Sequence, residues 1–158
     1  MASLSYETIY SAFLRKITDY SFLCDSVDEV KASLAEYLHS TISRPYTRRL
    51  FGSVSFDDTL EEMTFDMAYS TNEEQDTDFV TEVLALGMVI EWTKPMLNSR
   101  ILQQQMITSS KESKFYSQAM HITELRGLLE DTKKEQRDFI RDRNYFYNKY
   151  LGGSNGQA

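Results

Sequence analysis

Histidine and cysteine, the side chains most often used to hold zinc, move protons or act as nucleophiles, are few and scattered in this chain. Its two histidines, His39 and His121, fall on separate helical stretches, and neither has a Cys, Asp or His at ligand spacing. That argues against a zinc site or a histidine-based catalytic centre. The single cysteine, Cys24, has no histidine beside it to take its proton and reads as a small packed hydrophobe. One thiol also excludes a disulfide framework within the chain. Asp57, Asp58, Glu61 and Glu62 would set carboxylates at i, i+4 if helical, a pattern that can hold a divalent cation. Asn72 to Asp78 has the look of a calcium loop, but it lacks the glycine at the sixth position and the bidentate glutamate at the twelfth. The default for both stretches is a solvated acidic loop. No Gly-x-x-x-x-Gly-Lys loop is present to cradle a phosphate. The expectation is a protein that is not an enzyme and needs no cofactor or metal.

Two clusters suit recognition better than catalysis. Arg44, Arg48 and Arg49 surround Tyr46. They could contact phosphates or stack on a base, but pairing with an acidic segment, their own or a neighbour's, is preferred. Tyr145, Phe146, Tyr147, Tyr150 and Leu151 follow a highly charged stretch near the C-terminus. They either fold back on the core or form an aromatic arm that anchors to another protein, since aromatic residues dominate interface hot spots.

The elements that must carry these residues read as helices. Tyr6, Ile9, Tyr10, Phe13, Leu14 and Ile17 recur at helical spacing, which predicts a helix over about 5–18, interrupted at Asp19-Tyr20-Ser21. Ser26-Val27-Asp28-Glu29 is a capping box opening a second helix that must stop before Pro45. Residues 44–58 read as non-helical, with a short hairpin or extended loop around Gly52, and Leu60, Met63 and Met67 as one or two helical turns. Residues 70–78 read as a loop, with Thr77 or Asp78 capping a third helix. Phe79 to Trp92 is apolar nearly all round, as in the buried centre of a bundle. Gly87 within it implies close approach of another helix, and Pro95 is expected to end or kink it. Ser109-Ser110-Lys111-Glu112 is a second capping box, opening a long helix with a favourable Glu130–Lys134 pair. That helix should pack by its first half and project by its second.

The sum is an all-α fold: a helical bundle over 1–151 with a long C-terminal helix and an irregular insertion at about 44–77. A projecting arm is expected at about 143–151 and a flexible tail at 152–158. Its 158 residues suit one domain. No apolar run reaches the ~20 residues of a membrane-spanning helix, and the first residues lack the basic and apolar regions of a signal peptide. The net charge is −7. Between Leu50 and Thr93 lie eleven acidic residues and no Lys or Arg, whereas the remainder holds thirteen acids and seventeen bases. Such polarity suits stacking against copies of the same chain or facing a charged partner.

At Gly87-Met88-Val89-Ile90-Glu91-Trp92-Thr93-Lys94-Pro95 and Lys114-Phe115-Tyr116-Ser117-Gln118-Ala119-Met120-His121 the chain resembles small neck proteins of tailed bacteriophages. The resemblance extends to Tyr10, Phe13, Lys16 and Ile17 and to the aromatic end at Tyr145-Phe146-Tyr147. It implies a head–tail connector, a helical adaptor forming a homo-oligomeric ring beneath the portal protein and meeting an adjacent neck or tail-completion protein. The ring would assemble in the host cytoplasm, reside in the virion, let DNA pass without sequence-specific binding and touch no membrane. Portal binding would map onto Tyr145, Phe146, Tyr147, Tyr150 and Leu151. Charge alone then suggests Asp57, Asp58, Glu61, Glu62, Glu73, Glu74, Asp76 and Asp78 as lumen-lining or inter-subunit acids, and Arg44, Arg48 and Arg49 as inter-subunit bases. The alternatives are a small-terminase-like DNA-packaging subunit, a tail-completion or scaffolding protein, and a host regulatory bundle. The first finds few bases to work with, since only Arg15, Lys16 and Lys31 occur in the first forty-three residues.

Overall fold

The computed structural model describes residues 1–17, 25–106 and 112–146, with side chains described over 1–17, 25–99 and 120–144. In chain order the elements are β1 (Ala2–Ser5), α1 (Tyr6–Leu14), α2 (Val27–Ser43), α3 (Pro45–Arg48), β2 (Phe51–Asp57), β3 (Glu62–Met67), α4 (Glu73–Met106) and α5 (Glu112–Phe146). The fold is mixed, and the all-α expectation is corrected by a three-stranded antiparallel sheet in the order β1-β3-β2.

The sheet arises from residues whose spacing fits two periods. Leu60, Met63 and Met67 satisfy a helical spacing, but Met63, Phe65 and Met67 also alternate, and the alternation wins. Met63 and Phe65 turn into the core between exposed or half-buried Glu62, Thr64 and Asp66. Leu60 sits exposed in the hairpin connection. β3 pairs with Val54 and Phe56 of β2 on one side and with Ala2 and Leu4 of β1 on the other. The segment expected only to begin a helix therefore first supplies an edge strand, and Ser5 then caps α1 by accepting from the Thr8 amide.

α4 is the spine. Phe79, Val80, Val83, Leu84, Ala85, Met88, Val89 and Trp92 are buried in one core with Ile9 and Phe13 of α1, Leu34, Leu38 and Ile42 of α2, Ile140 of α5 and the inner face of the sheet. α2 opens on the expected capping box, with the Ser26 hydroxyl accepting from the Glu29 amide and the Glu29 carboxylate accepting from the Ser26 amide. α4 begins earlier than composition suggests. Asn72, not Thr77 or Asp78, accepts from the Gln75 amide, and Glu73, Glu74 and Asp76 lie in the first turn, where the helix dipole favours them. Nor does α4 end at Pro95, which lies inside it.

α5 runs antiparallel to α4, with Arg143 beside Asp76, Phe139 stacked on Phe79 and the Gln136 amide donating to the Val83 carbonyl. Farther along, Ile90 and Leu97 meet Leu129 and Ile122 in a smaller cluster. At 1.5 Å per residue each helix is about 50 Å long. The second half of α5 thus enters the main core, the reverse of the expected projection. Glu130 binds Lys133, at 2.9 Å, rather than Lys134. Residues 18–24, with Cys24 and the expected interruption, and residues 107–111, with most of the second capping box, lie outside the described residues. Among the described residues no helix is long and apolar enough to cross a membrane.

Candidate functional site

Three polar constellations could in principle do chemistry. The first joins residues that are distant in sequence. The Tyr6 hydroxyl donates to Asp58 Oδ1 at 2.6 Å, and His39 Nε2 lies 2.9 Å from the same oxygen. His39 packs edge-on against Phe56. Asp57 accepts from the amides of Thr59 and Leu60 and folds the hairpin turn. Glu61 closes that turn with φ of 51°, its carbonyl accepting from the Tyr6 amide and its carboxylate binding Lys31. The cluster latches the hairpin to α1 and α2. Its phenol is a poor acid, because burial and the bond to Asp58 push Tyr6 well above the usual phenol range.

Burial, reinforced by the Glu61 and Asp58 charges, likewise pushes Tyr10 up to about 12. A phenol whose pKa is raised by folding stabilises the fold fully below its unfolded value near 10 and loses that contribution as pH rises through its folded value. In an alkaline titration followed by ultraviolet difference absorbance, Tyr10 is expected to stay protonated until about pH 12 and Tyr6 to ionise no earlier, so that ionisation and unfolding coincide. Ionisation of every tyrosine near pH 10 with the fold intact would contradict this placement.

The second constellation is buried. Asp76, only 4% exposed, accepts from the Ser70 hydroxyl at 2.5 Å and from the amide and hydroxyl of Thr71. The Arg143 guanidinium donates to it as well and lies over the Phe79 ring, 4.3 Å from its centroid. Burial pushes the Asp76 carboxyl up, but these hydrogen bonds outweigh it and hold the group below the usual carboxylate range. Asp76 therefore cannot line a lumen or meet a neighbour, and Arg143 anchors α5 where an arm was expected to begin.

The third is a recess of about 230 Å³ where α2, α3, α4 and α5 meet. Arg44, Lys94, Lys133 and Arg137 surround it with one carboxylate, Glu91, among polar groups that include Thr41, Thr47 and Gln136. Arg44 grips Glu91 with two bonds, Nε to Oε1 at 2.8 Å and Nη2 to Oε2 at 2.9 Å, and Lys94 Nζ donates to Oε1 at 2.9 Å. Burial raises Glu91, and the two cations bring it below the usual carboxylate range. The recess is a cationic patch on an acidic protein. Arg48 donates to the Phe51 carbonyl and Arg49 lies over Tyr46, 4.6 Å from the ring centroid, so the arginine cluster divides and only Arg44 reaches the recess wall.

Glu62, Glu73, Glu74 and Asp78 remain exposed, whereas Asp57, Asp58 and Glu61 are engaged in the latch. Among the described residues no group of three or more His, Cys, Asp or Glu converges as a metal site would require. Tyr145 and Phe146 end α5, while Tyr147, Tyr150 and Leu151 lie outside the described residues.

Sequence reasoning missed the arrangement of charge around α5. With Gln136 marking the inward direction, helical geometry places Arg126, Lys133, Arg137 and Arg141 toward one flank, with Glu130 among them, and Glu124, Asp131, Glu135, Asp138 and Asp142 toward the other, with Lys134 beside them. The signal lay in the sequence, since a projection of 124–142 at 100° per residue gathers the bases and the acids on different sides, Glu130 and Lys134 excepted. No family model, curated protein or solved structure matches the chain.

Proposed function

We propose that this protein is a structural virion component, a head–tail connector that acts by assembly between the portal and the tail of a tailed bacteriophage. The observation that carries this reading is the division of the α5 surface into a basic and an acidic flank. A helix with opposite charges on its two sides is built to meet different surfaces on its two sides, as a subunit in a ring must. The segments behind the neck-protein resemblance also gather on one spine. Gly87 to Pro95 lies in α4, Lys114 to His121 lies in α5 antiparallel to it, and Phe13 packs in the same core while Lys16 binds Glu82 of α4. In this reading Tyr145, Phe146, Tyr147, Tyr150 and Leu151 grip the portal, following the point where Arg143 roots α5. The exposed carboxylates of Glu62, Glu73, Glu74 and Asp78 repel passing DNA.

Two experiments test the proposal. Deleting residues 145–158 is expected to abolish capture of the portal protein while leaving the melting temperature within a few degrees of wild type, because Arg143 and Ile140 remain; retained capture would reject the arm. Quantitative mass spectrometry of purified virions is expected to find about one copy of this chain per portal subunit. Absence from the mature particle would overturn the connector reading.

A further inference from the structure

We propose that the cationic recess receives the acidic flank of α5 from a second copy of this chain, so that copies associate head to tail. The choice of occupant rests on the assembly reading above; the surfaces themselves are fixed by geometry. Four cations face one carboxylate in the recess, and that carboxylate is already held by Arg44 and Lys94. Lys133 is shared with Glu130 on its own helix, but Arg137 has no carboxylate partner among the described residues. Across the outer face of α5, Arg141 reaches from the basic flank to Asp138 at 3.0 Å and Asp142 at 3.3 Å. Asp131 and Glu135 have no cation within salt-bridge distance among the described residues, and they lie exposed one helical turn apart. Beside them Phe139 is 38% exposed although it stacks on Phe79, and Leu128 is 40% exposed, so the flank offers apolar surface as well as charge.

The recess and the Asp131–Glu135 face lie on opposite flanks of one helix, and among the described residues neither satisfies the other within a chain. A second copy supplies what each lacks. Because the contact uses different surfaces on its two members, every added copy leaves one recess and one flank open, and the association propagates until a ring closes. A net charge of −7 repels a long polyanion and a second copy alike at a distance, but only the copy brings apolar surface, Leu128 and Phe139, beside its carboxylates to offset that repulsion on contact. The carboxylates of a second copy are placed by short-range docking instead. Exposed ion pairs are individually weak and screened by salt, so association requires several at once and fades as ionic strength rises.

The test uses the full chain in sedimentation velocity at about 0.05 M and about 0.5 M NaCl, where the Debye length falls severalfold. Wild type is expected to self-associate at low salt and to dissociate at high salt. Lys133→Glu/Arg137→Glu should weaken self-association at least tenfold, as should Asp131→Lys/Glu135→Lys, because like charges then face each other. An equimolar mixture of the two variants should recover assemblies of wild-type size, since every recess again meets a flank of opposite sign in an alternating arrangement. Recovery on mixing cannot come from misfolded protein. Self-association by either variant equal to wild type would place the interface elsewhere and leave the connector reading intact. A wild type that stays monomeric at millimolar concentration would overturn the proposal, as would pyrophosphate binding in the recess without self-association; the virion copy number tests the connector reading separately.

Discussion

An Arg143→Ala variant is expected to lose about 3–5 kcal/mol of stability, the cost of removing one partner from a buried ion pair. For a domain whose total stability is about 5–15 kcal/mol, that is the difference between a robust fold and a marginal one. The size follows from what the substitution leaves behind. Asp76 keeps its bonds from Ser70 and Thr71 but loses the charge that justifies burying it, and Phe79 loses the cation over its ring while still stacked on Phe139. Urea denaturation should show the loss as a lower midpoint with little change in slope. Replacing both partners, as Asp76→Asn with Arg143→Met, should cost much less than Arg143→Ala alone, because no isolated charge remains. Acid provides a second check. The Asp76 carboxyl is held below its unfolded value near 4, so its contribution is present above about pH 4 and disappears as pH falls through the lower folded value. The gap between wild type and Arg143→Ala should therefore narrow below about pH 4. A gap unchanged down to full protonation of Asp76 would mean that lost packing, not lost charge, sets the cost.

This pair also marks where sequence reading stops. Asp76 lies in a polar, acidic stretch that composition assigns to solvent, and nothing local shows that an arginine sixty-seven positions later buries it. The helix start at Asn72 was within reach, since an Asn cap followed by acids in the first turn is what the dipole favours. The absence of an apolar residue between Ser70 and Asp78 concealed it. The sheet was concealed differently. β1 has only four residues and reads as the approach to a helix, and β3 has spacings that satisfy both periods until the partner strands select one. What long periodic segments specify was legible: the Ser26 capping box, the stripe of α2 and the all-round apolar centre of α4. The recess was not, because Arg44 comes from the junction of α2 and α3, Lys94 from α4 and Lys133 and Arg137 from α5, and only the arginine group near residue 44 clusters in sequence. The split of α5 could have been found there, since both signs recur on one helix and only their angular positions differ.

Two glycines on these helices should respond to the same substitution with opposite signs. Gly→Ala in an exposed helix interior usually stabilises by about 0.5–1 kcal/mol, and Gly127→Ala should do so, since nothing lies within 4 Å of where its Cβ would stand. Gly87→Ala is instead expected to cost about 1–3 kcal/mol, the usual range for overpacking. Its Cβ would fall 2.2 Å from Thr41 Cγ2 and 3.0 Å from Gln136 Nε2, so α2 or α5 must give way. Neither neighbour is free to move. The Thr41 hydroxyl donates to the Tyr37 carbonyl at 2.8 Å, fixing the rotamer that aims the methyl at Gly87, and Thr41 is 1% exposed. Gln136 is held by its bond to the Val83 carbonyl at 3.0 Å. Thr41→Ala removes the clashing methyl, so the Gly87→Ala/Thr41→Ala double variant should lose less than the sum of its singles, with a coupling of about 1 kcal/mol or more in a double-mutant cycle. Strict additivity would mean that the helices shift apart to accommodate the alanine, and that Gly87 does not set how closely α2 approaches α4. The same crossing borders the cationic recess, so a shift of α2 would also move Arg44 relative to Glu91. Weakened self-association of Gly87→Ala, beyond what its lost stability explains, would therefore tie the packing of the spine to the interface beside it.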